Sequence, residues 1–130
     1  SILPDLILME FVNDAGLSSD IWQKNYTRVV EDVRRIGAEL ILMTPHYVRP
    51  DWMGLTEEKR CDEDPRPYVQ FLRKFAREHS IALADVSRSY GGLWRRGIPH
   101  TTLLVNGINH PNADGMKLFQ KALLDLFPIK

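Results

Sequence analysis

Ile2 to Val12 reads ILPDLILMEFV, and this stretch decides the fold. It is an apolar run of mostly Leu and Ile, too short for a helix with a polar face, and the turn-like Asn13-Asp14-Ala15-Gly16 follows it. Asp5 to Phe11 therefore reads as a strand buried on both faces, the pattern of a parallel sheet covered by helices above and below. Glu39 to Thr44, ELILMT, repeats the pattern and stops at Pro45. A third strand, weakened by its alanines, is expected at Ile81 to Val86, IALADV.

Helical periodicity fills the intervals. Ser18, Ser19 and Asp20 offer N-caps for a helix from about Ile21 to Ile36, with Trp22, Tyr26, Val29, Val30, Val33 and Ile36 in one stripe and Gly37 as its C-cap. Asp64 and Pro65 open a second helix through about Glu78, with Tyr68, Leu72, Phe75 and Ala76 inward. Ser87 is expected to cap a short helix to Arg96, against the cost of Gly91-Gly92. Asn112 should cap the last helix, in which Met116, Phe119, Gln120, Leu123 and Phe127 recur at helical spacing. The segment from His46 to Pro65 exceeds a usual connection, so it is either a lid or holds a short helix of its own.

This alternation predicts one α/β domain over residues 1–130, a parallel sheet between two helical layers. Its first strand is as apolar as a central one, yet nothing earlier in the sequence can pair with its free side. The expectation is a sheet incomplete on its N-terminal side, its edge completed by another segment, another chain or a second copy.

With 17 basic and 17 acidic residues the formal net charge is zero, which leaves no broad electrostatic attraction to nucleic acid or acidic membrane. No stretch approaches the roughly 20 apolar residues of a membrane span. Ser1 to Phe11 lacks the basic start of a signal peptide. Cys61 is the only cysteine, which rules out an intrachain disulfide and a multi-cysteine zinc site and is compatible with a reducing, cytoplasmic compartment without requiring one.

Ligands of open α/β sheets bind beyond the carboxyl ends of the strands. Asn13 and Asp14, Pro45 and His46, and Ser87 fall there. His110, in Asn106–Lys117 (NGINHPNADGMK), is pinned between a loop and the start of the last helix, a position that suits a general base. An amide at Asn13 that donates to an oxyanion and an imidazole at His110 that shuttles a proton are the minimum for acyl transfer. A plain turn at Asn13 and a packed loop histidine at His110 are the competing readings. His46, Tyr47 and Trp52 are candidates for a substrate wall or for packing, and Trp94 shares that ambiguity. His79 stands at a helix C-terminus and reads as structural. His100 has no assigned role.

PDLILMEFVNDAG resembles the third sequence block of the SGNH (GDSL-type) hydrolases, and NHPNADG resembles their fifth, 97 residues later and in the right order. The resemblance implies a flavodoxin-like three-layer α/β/α domain that hydrolyses esters through a serine nucleophile without a metal or organic cofactor. It assigns the general-base role to His110 and an oxyanion-hole role to Asn13, with a small-molecule ester, such as an acetyl ester on a carbohydrate, as substrate. Three departures stand against it. No Gly-Asp-Ser-Leu-like block is present, and Ser18, Ser19, Ser80, Ser87 and Ser89 all lie in cap or turn contexts, so the nucleophile would come from outside these residues. Phe11 occupies the place of a family glycine. Gly107 stands three residues before His110, where the family carries its acid. A non-catalytic α/β binding module that has lost the nucleophile is the alternative. A phosphoryl-accepting receiver domain is a weaker third reading, with only Asp14 and Asp85 available to it.

Overall fold

The computed structural model describes residues 3–55 and 63–127. Strands β1 (Leu6–Met9), β2 (Glu39–Met43) and β3 (Ala82–Ala84) form a parallel sheet in the order β1-β2-β3. Leu8 pairs with Ile41 and Leu42 with Leu83. The helices are α1 (Ser19–Arg35), α2 (Pro67–Glu78), α3 (Val86–Arg95) and α4 (Ala113–Leu124), with single 3-10 turns at Val12–Gly16, Pro50–Met53 and His100–Leu103. The last two lie in the long connections that the sequence left open, while the charged stretch at residues 56–62, Cys61 included, lies outside the described residues.

The sheet separates two cores. On one face Met9 and Leu42 pack with Trp22, Tyr26 and Val30 of α1 and Tyr68, Leu72, Phe75 and Ala76 of α2. On the other, Ile41, Met43 and Ala84 pack with Tyr47, Tyr90, Trp94 and Ala122. This is the expected three-layer α/β/α arrangement, and each layer follows from an apolar stripe that only a sheet face can cover.

Four local expectations change. Strand β1 is not buried on both faces: Leu6 is 44% and Leu8 50% exposed, on the face that β2 uses to carry Ile41. Helix α2 begins at Pro67 because Asp64 turns back to accept the Arg66 N–H at 3.0 Å. Helix α3 is capped by Asp85, which accepts from the Arg88 N–H, while Ser87 lies buried inside it. In α4, Phe119 and Leu123 pack against the core as expected, but Met116 and Gln120 face outward, as does Phe127 beyond its end, and Gly115 and Ala122 are the buried positions. The cap at Asn112 is as expected, accepting from the N–H groups of Asp114 (3.0 Å) and Gly115 (2.9 Å).

Candidate active site

The turn after β1, the segment after β2 and the loop before α4 meet around a cleft of about 200 Å3, walled by Asn13, Val48, His46, Trp52, Arg66 and Asn109. Wider depressions hold neither Asn13 nor His46. One, of about 350 Å3, lies at the amino ends of β2 and β3, and one, of about 440 Å3, lies against Arg73, Arg77 and Arg88. The second of these also reaches Asp85 after β3, and a third, of about 260 Å3, reaches Phe11 and Asp14 after β1. The smaller cleft is the candidate site because, of these, it joins Asn13, His46 and the loop that carries His110 at the carboxyl rim, where the loops are free to carry chemistry.

Asn13 reaches the cleft from the exposed 3-10 turn that ends β1. His46 forms its inner wall. Its Nε2 faces the Asn109 carbonyl oxygen at 2.8 Å, so this nitrogen carries the proton and donates. Burial holds the His46 pKa below its usual value, the hydrogen bond to Asn109 opposes that shift, and the charges of Arg66, His110 and His100 reinforce it. The ring is therefore neutral at pH 7, with Nδ1 a buried acceptor that has no partner among the described residues. Trp52 stands at the mouth, 57% exposed, with the Arg49 guanidinium 5.9 Å from its ring centre.

Beneath the wall lies a charged group that the sequence reading missed. The Arg66 guanidinium donates to Asp64 through Nε (2.8 Å to Oδ1) and Nη2 (2.5 Å to Oδ2). Nη2 also donates to the carbonyls of Pro45 (3.3 Å) and His46 (2.9 Å). Asp64 further accepts from Ser87 Oγ at 2.9 Å. This pins the backbone on which His46 stands, and it removes Ser87 from consideration as a nucleophile, since its hydroxyl is buried and committed. An acid two residues before an arginine at a helix entrance was the available signal; nothing in it told that both would be buried.

His110 is exposed and adjoins Asn109 in the loop. Its backbone is held on both sides: the Val105 N–H donates to the His110 carbonyl at 2.8 Å, and Leu104 and Pro111 form an antiparallel bridge. Its Nδ1 faces the side-chain nitrogen of Asn106 at 2.9 Å. Gly107 adopts φ +65°, the left-handed conformation in which glycine is favoured. Asn13 and the loop of His110 are thus brought together.

Two candidate wall residues are not. Tyr47 has no exposed surface; it stacks on Tyr90 at 5.5 Å in the core behind His46. Trp94 is buried and donates from Nε1 to His100 Nδ1 at 2.8 Å. His100, 1% exposed, places Nε2 2.6 Å from the Val48 carbonyl and is a core histidine. The segment from Gly91 to Thr102 accordingly packs against the core and lines no wall of this cleft. His79 caps the end of α2 and stacks on Phe75 at 4.1 Å, as its position suggested.

No family profile and no curated protein matches the sequence. Solved structures do match in three dimensions. Axe2, an acetyl-xylooligosaccharide esterase from Geobacillus stearothermophilus solved as a variant, superposes with a TM-score of 0.71 at 18% identity, over 98% of this chain and 61% of its own. The acetyl xylan esterase AlAXEase gives 0.71 at 20% identity, over 96% and 68%. The fold is that of acetyl xylan esterases. This chain spans about 61% of the length of Axe2. Two further Axe2 structures, with TM-scores of 0.68 and 0.69, are described as catalytic mutants; one replaces a histidine and the other an aspartate three residues before it. In this chain the residue three before His110 is Gly107.

Proposed function

We propose that these residues form the rear part of an SGNH-type serine esterase that cleaves a small acyl ester, an acetyl group on a carbohydrate being the favoured class. The observation that carries the reading is the cleft at the carboxyl rim, where Asn13 and the His110 loop converge on a fold shared with acetyl xylan esterases. The nucleophilic serine would come from a segment outside these 130 residues. The unpaired edge of β1 and the exposure of Leu6 and Leu8 support that assignment, because a further strand paired there would extend the sheet past them and deliver its own carboxyl end to the rim beside Asn13.

In the proposed reaction the serine oxygen attacks the ester carbonyl and its proton passes to Nε2 of His110. The Asn13 amide donates to the oxyanion that develops on the former carbonyl oxygen. Collapse breaks the bond to the alcohol, which leaves with the proton from His110. Water then repeats the sequence on the acyl-serine and releases the acid. His46 and Trp52 would bound the substrate, His46 as a fixed neutral wall and Trp52 as an exposed ring able to lie on a sugar face. No step needs a metal or organic cofactor.

A second reading, a binding module without catalysis, is favoured by one contact: His110 Nδ1 meets an amide nitrogen where the proposed reaction wants a carboxylate. A fluorophosphonate probe and p-nitrophenyl acetate, applied to the protein as its gene encodes it, separate the two. Covalent labelling of a serine and hydrolysis that depends on His110 are the expected results. Absence of both in a folded sample would replace the esterase reading with the binding module.

A further inference from the structure

Asn106 controls the polarity of His110. Its amide oxygen accepts from three backbone N–H groups, those of Ile108 (2.9 Å), Asn109 (3.0 Å) and His110 (3.2 Å). With the oxygen so committed, the amide nitrogen is the atom that faces Asn109 Oδ1 at 3.1 Å and His110 Nδ1 at 2.9 Å. Exchanging the two amide atoms would set N–H against three N–H groups, so the orientation is fixed by the turn. An amide nitrogen only donates. Nδ1 must therefore be the lone-pair nitrogen of His110, and the neutral ring carries its proton on Nε2.

We infer that Asn106 is a positioning residue that holds His110 as a hydrogen-bond donor at Nε2. A ring so held offers its N–H to an oxygen acceptor. Before Nε2 can take a proton from a hydroxyl, the ring must shift its own proton to Nδ1 and give up the Asn106 hydrogen bond, so this contact works against the base role proposed for His110 and lowers its rate. An aspartate in the same place reverses this. One carboxylate oxygen would keep the three backbone donors, the other would accept from Nδ1–H, and the lone pair would move to Nε2. The change is nearly isosteric, and it restores the negative charge that stabilises an imidazolium. Gly107 offers no equally simple route, because an acid there would stand on a left-handed backbone with its Cβ in open space. In resting form, then, the loop of Asn106 to His110 is built as a turn that happens to hold a donor, and one atom separates it from a loop that holds a base.

The catalytic consequence rests on the esterase reading; the assignment of the proton does not. Two measurements keep them apart. Long-range proton–nitrogen correlation on 15N-labelled protein, as its gene encodes it and at a pH where the ring is neutral, should show His110 protonated at Nε2 in the wild type and at Nδ1 in N106D. A wild-type spectrum with the proton on Nδ1 overturns the proposal without any variant having to fold, and an N106D spectrum unchanged from wild type overturns it as well. For p-nitrophenyl acetate, kcat/KM of N106D should exceed that of the wild type by at least about tenfold, part of the roughly 10²–10⁴ attributed to a general base. The gain should vanish in N106D/H110A. A wild type that is active and an N106D that is slower would refute the catalytic consequence. Correct tautomers with no hydrolysis in either protein would sink the esterase reading and leave the role of Asn106 standing.

Discussion

Replacing Asp64 by Ala is the sharpest test of how the cleft is built. The Asp64 side chain is fully buried and the Arg66 side chain is 10% exposed, so the pair is an interior one. In the variant the guanidinium keeps only the carbonyls of Pro45 and His46, and the Ser87 hydroxyl loses its acceptor. Removing one partner of a buried pair costs about 3–5 kcal/mol, mostly because the other charge is left without compensation. A domain of this size has roughly 5–15 kcal/mol of stability, so D64A should give up a large part of it. At about 3–5 °C per kcal/mol, Tm should fall by about 10–20 °C. The contrasting variant D64L/R66M removes both charges and should lie within about 2 kcal/mol of the wild type. Urea unfolding followed by circular dichroism of D64A, and of D64L, R66M and D64L/R66M as a closed cycle, gives the coupling directly. A D64A cost under about 1 kcal/mol would refute the pairing as a structural support. A double variant as unstable as D64A would show that Arg66 matters through the carbonyls it holds and not through its charge.

Three further outcomes follow from the same geometry. Because burial depresses the His46 pKa, the folded state binds fewer protons than the unfolded state in the window below the unfolded value of about 6.5. The contribution of His46 to stability should be complete above that pH and be lost as pH falls through the lower, folded value; H46N should flatten this part of a pH–stability profile, and an unchanged slope would contradict the assignment. N112A should cost about 1 kcal/mol, since two N–H groups of α4 lose their cap, and an effect within error in urea unfolding would count against the cap as drawn. In a preparation that hydrolyses p-nitrophenyl acetate, H110A should lower kcat by at least about 10³-fold, whereas a loss of less than tenfold would remove His110 from the mechanism.

The strands were legible because apolar runs of five or six residues bounded by turns have few other uses in a chain of this composition. Burial was less legible, because it depends on what lies opposite. Leu6 and Leu8 look like core residues in sequence and are half exposed, since no further strand or helix covers that part of the sheet among the described residues. The inward face of α4 was misread in part, for the opposite reason: Phe119 and Leu123 pack against the core as expected, while Met116 and Gln120 do not. Apolar periodicity weights large side chains, but the helix touches the core through Gly115, where a Cβ would stand 2.7 Å from the Leu103 carbonyl and 2.9 Å from the Tyr90 hydroxyl. Only a small residue allows so close a contact, and the larger Met116 is rotated outward. Tyr47 and Trp52 differ by the same logic: five residues apart, one points under the wall and the other over it. That Asn13 and Asn109, in the loop that carries His110, line one cleft needed only topology, because parallel strands deliver every carboxyl end to the same side.

What topology does not supply is the fine placement of the His110 ring, and a chain of direct contacts supplies it here. Asp64 fixes Arg66, Arg66 holds the carbonyl of His46, the His46 ring donates to the carbonyl of Asn109, and the Arg49 N–H donates to the carbonyl of Ile108 at 2.7 Å. The loop from Asn106 to His110 is thus tied twice to the segment after β2, and that segment is tied to a buried ion pair at the entrance of α2. The final link, Asn106 to Nδ1, lies within the loop. Two levers on His110 are therefore separable. Loosening the Asp64–Arg66 pair should blur where the ring sits, lowering any rate that depends on it without moving the proton between its nitrogens. Changing Asn106 to Asp should move the proton while the ring stays in place. If D64A altered the His110 tautomer, or N106D displaced the Asn109 carbonyl from His46, position and polarity would be one property of this loop, and the separation drawn from these contacts would fail.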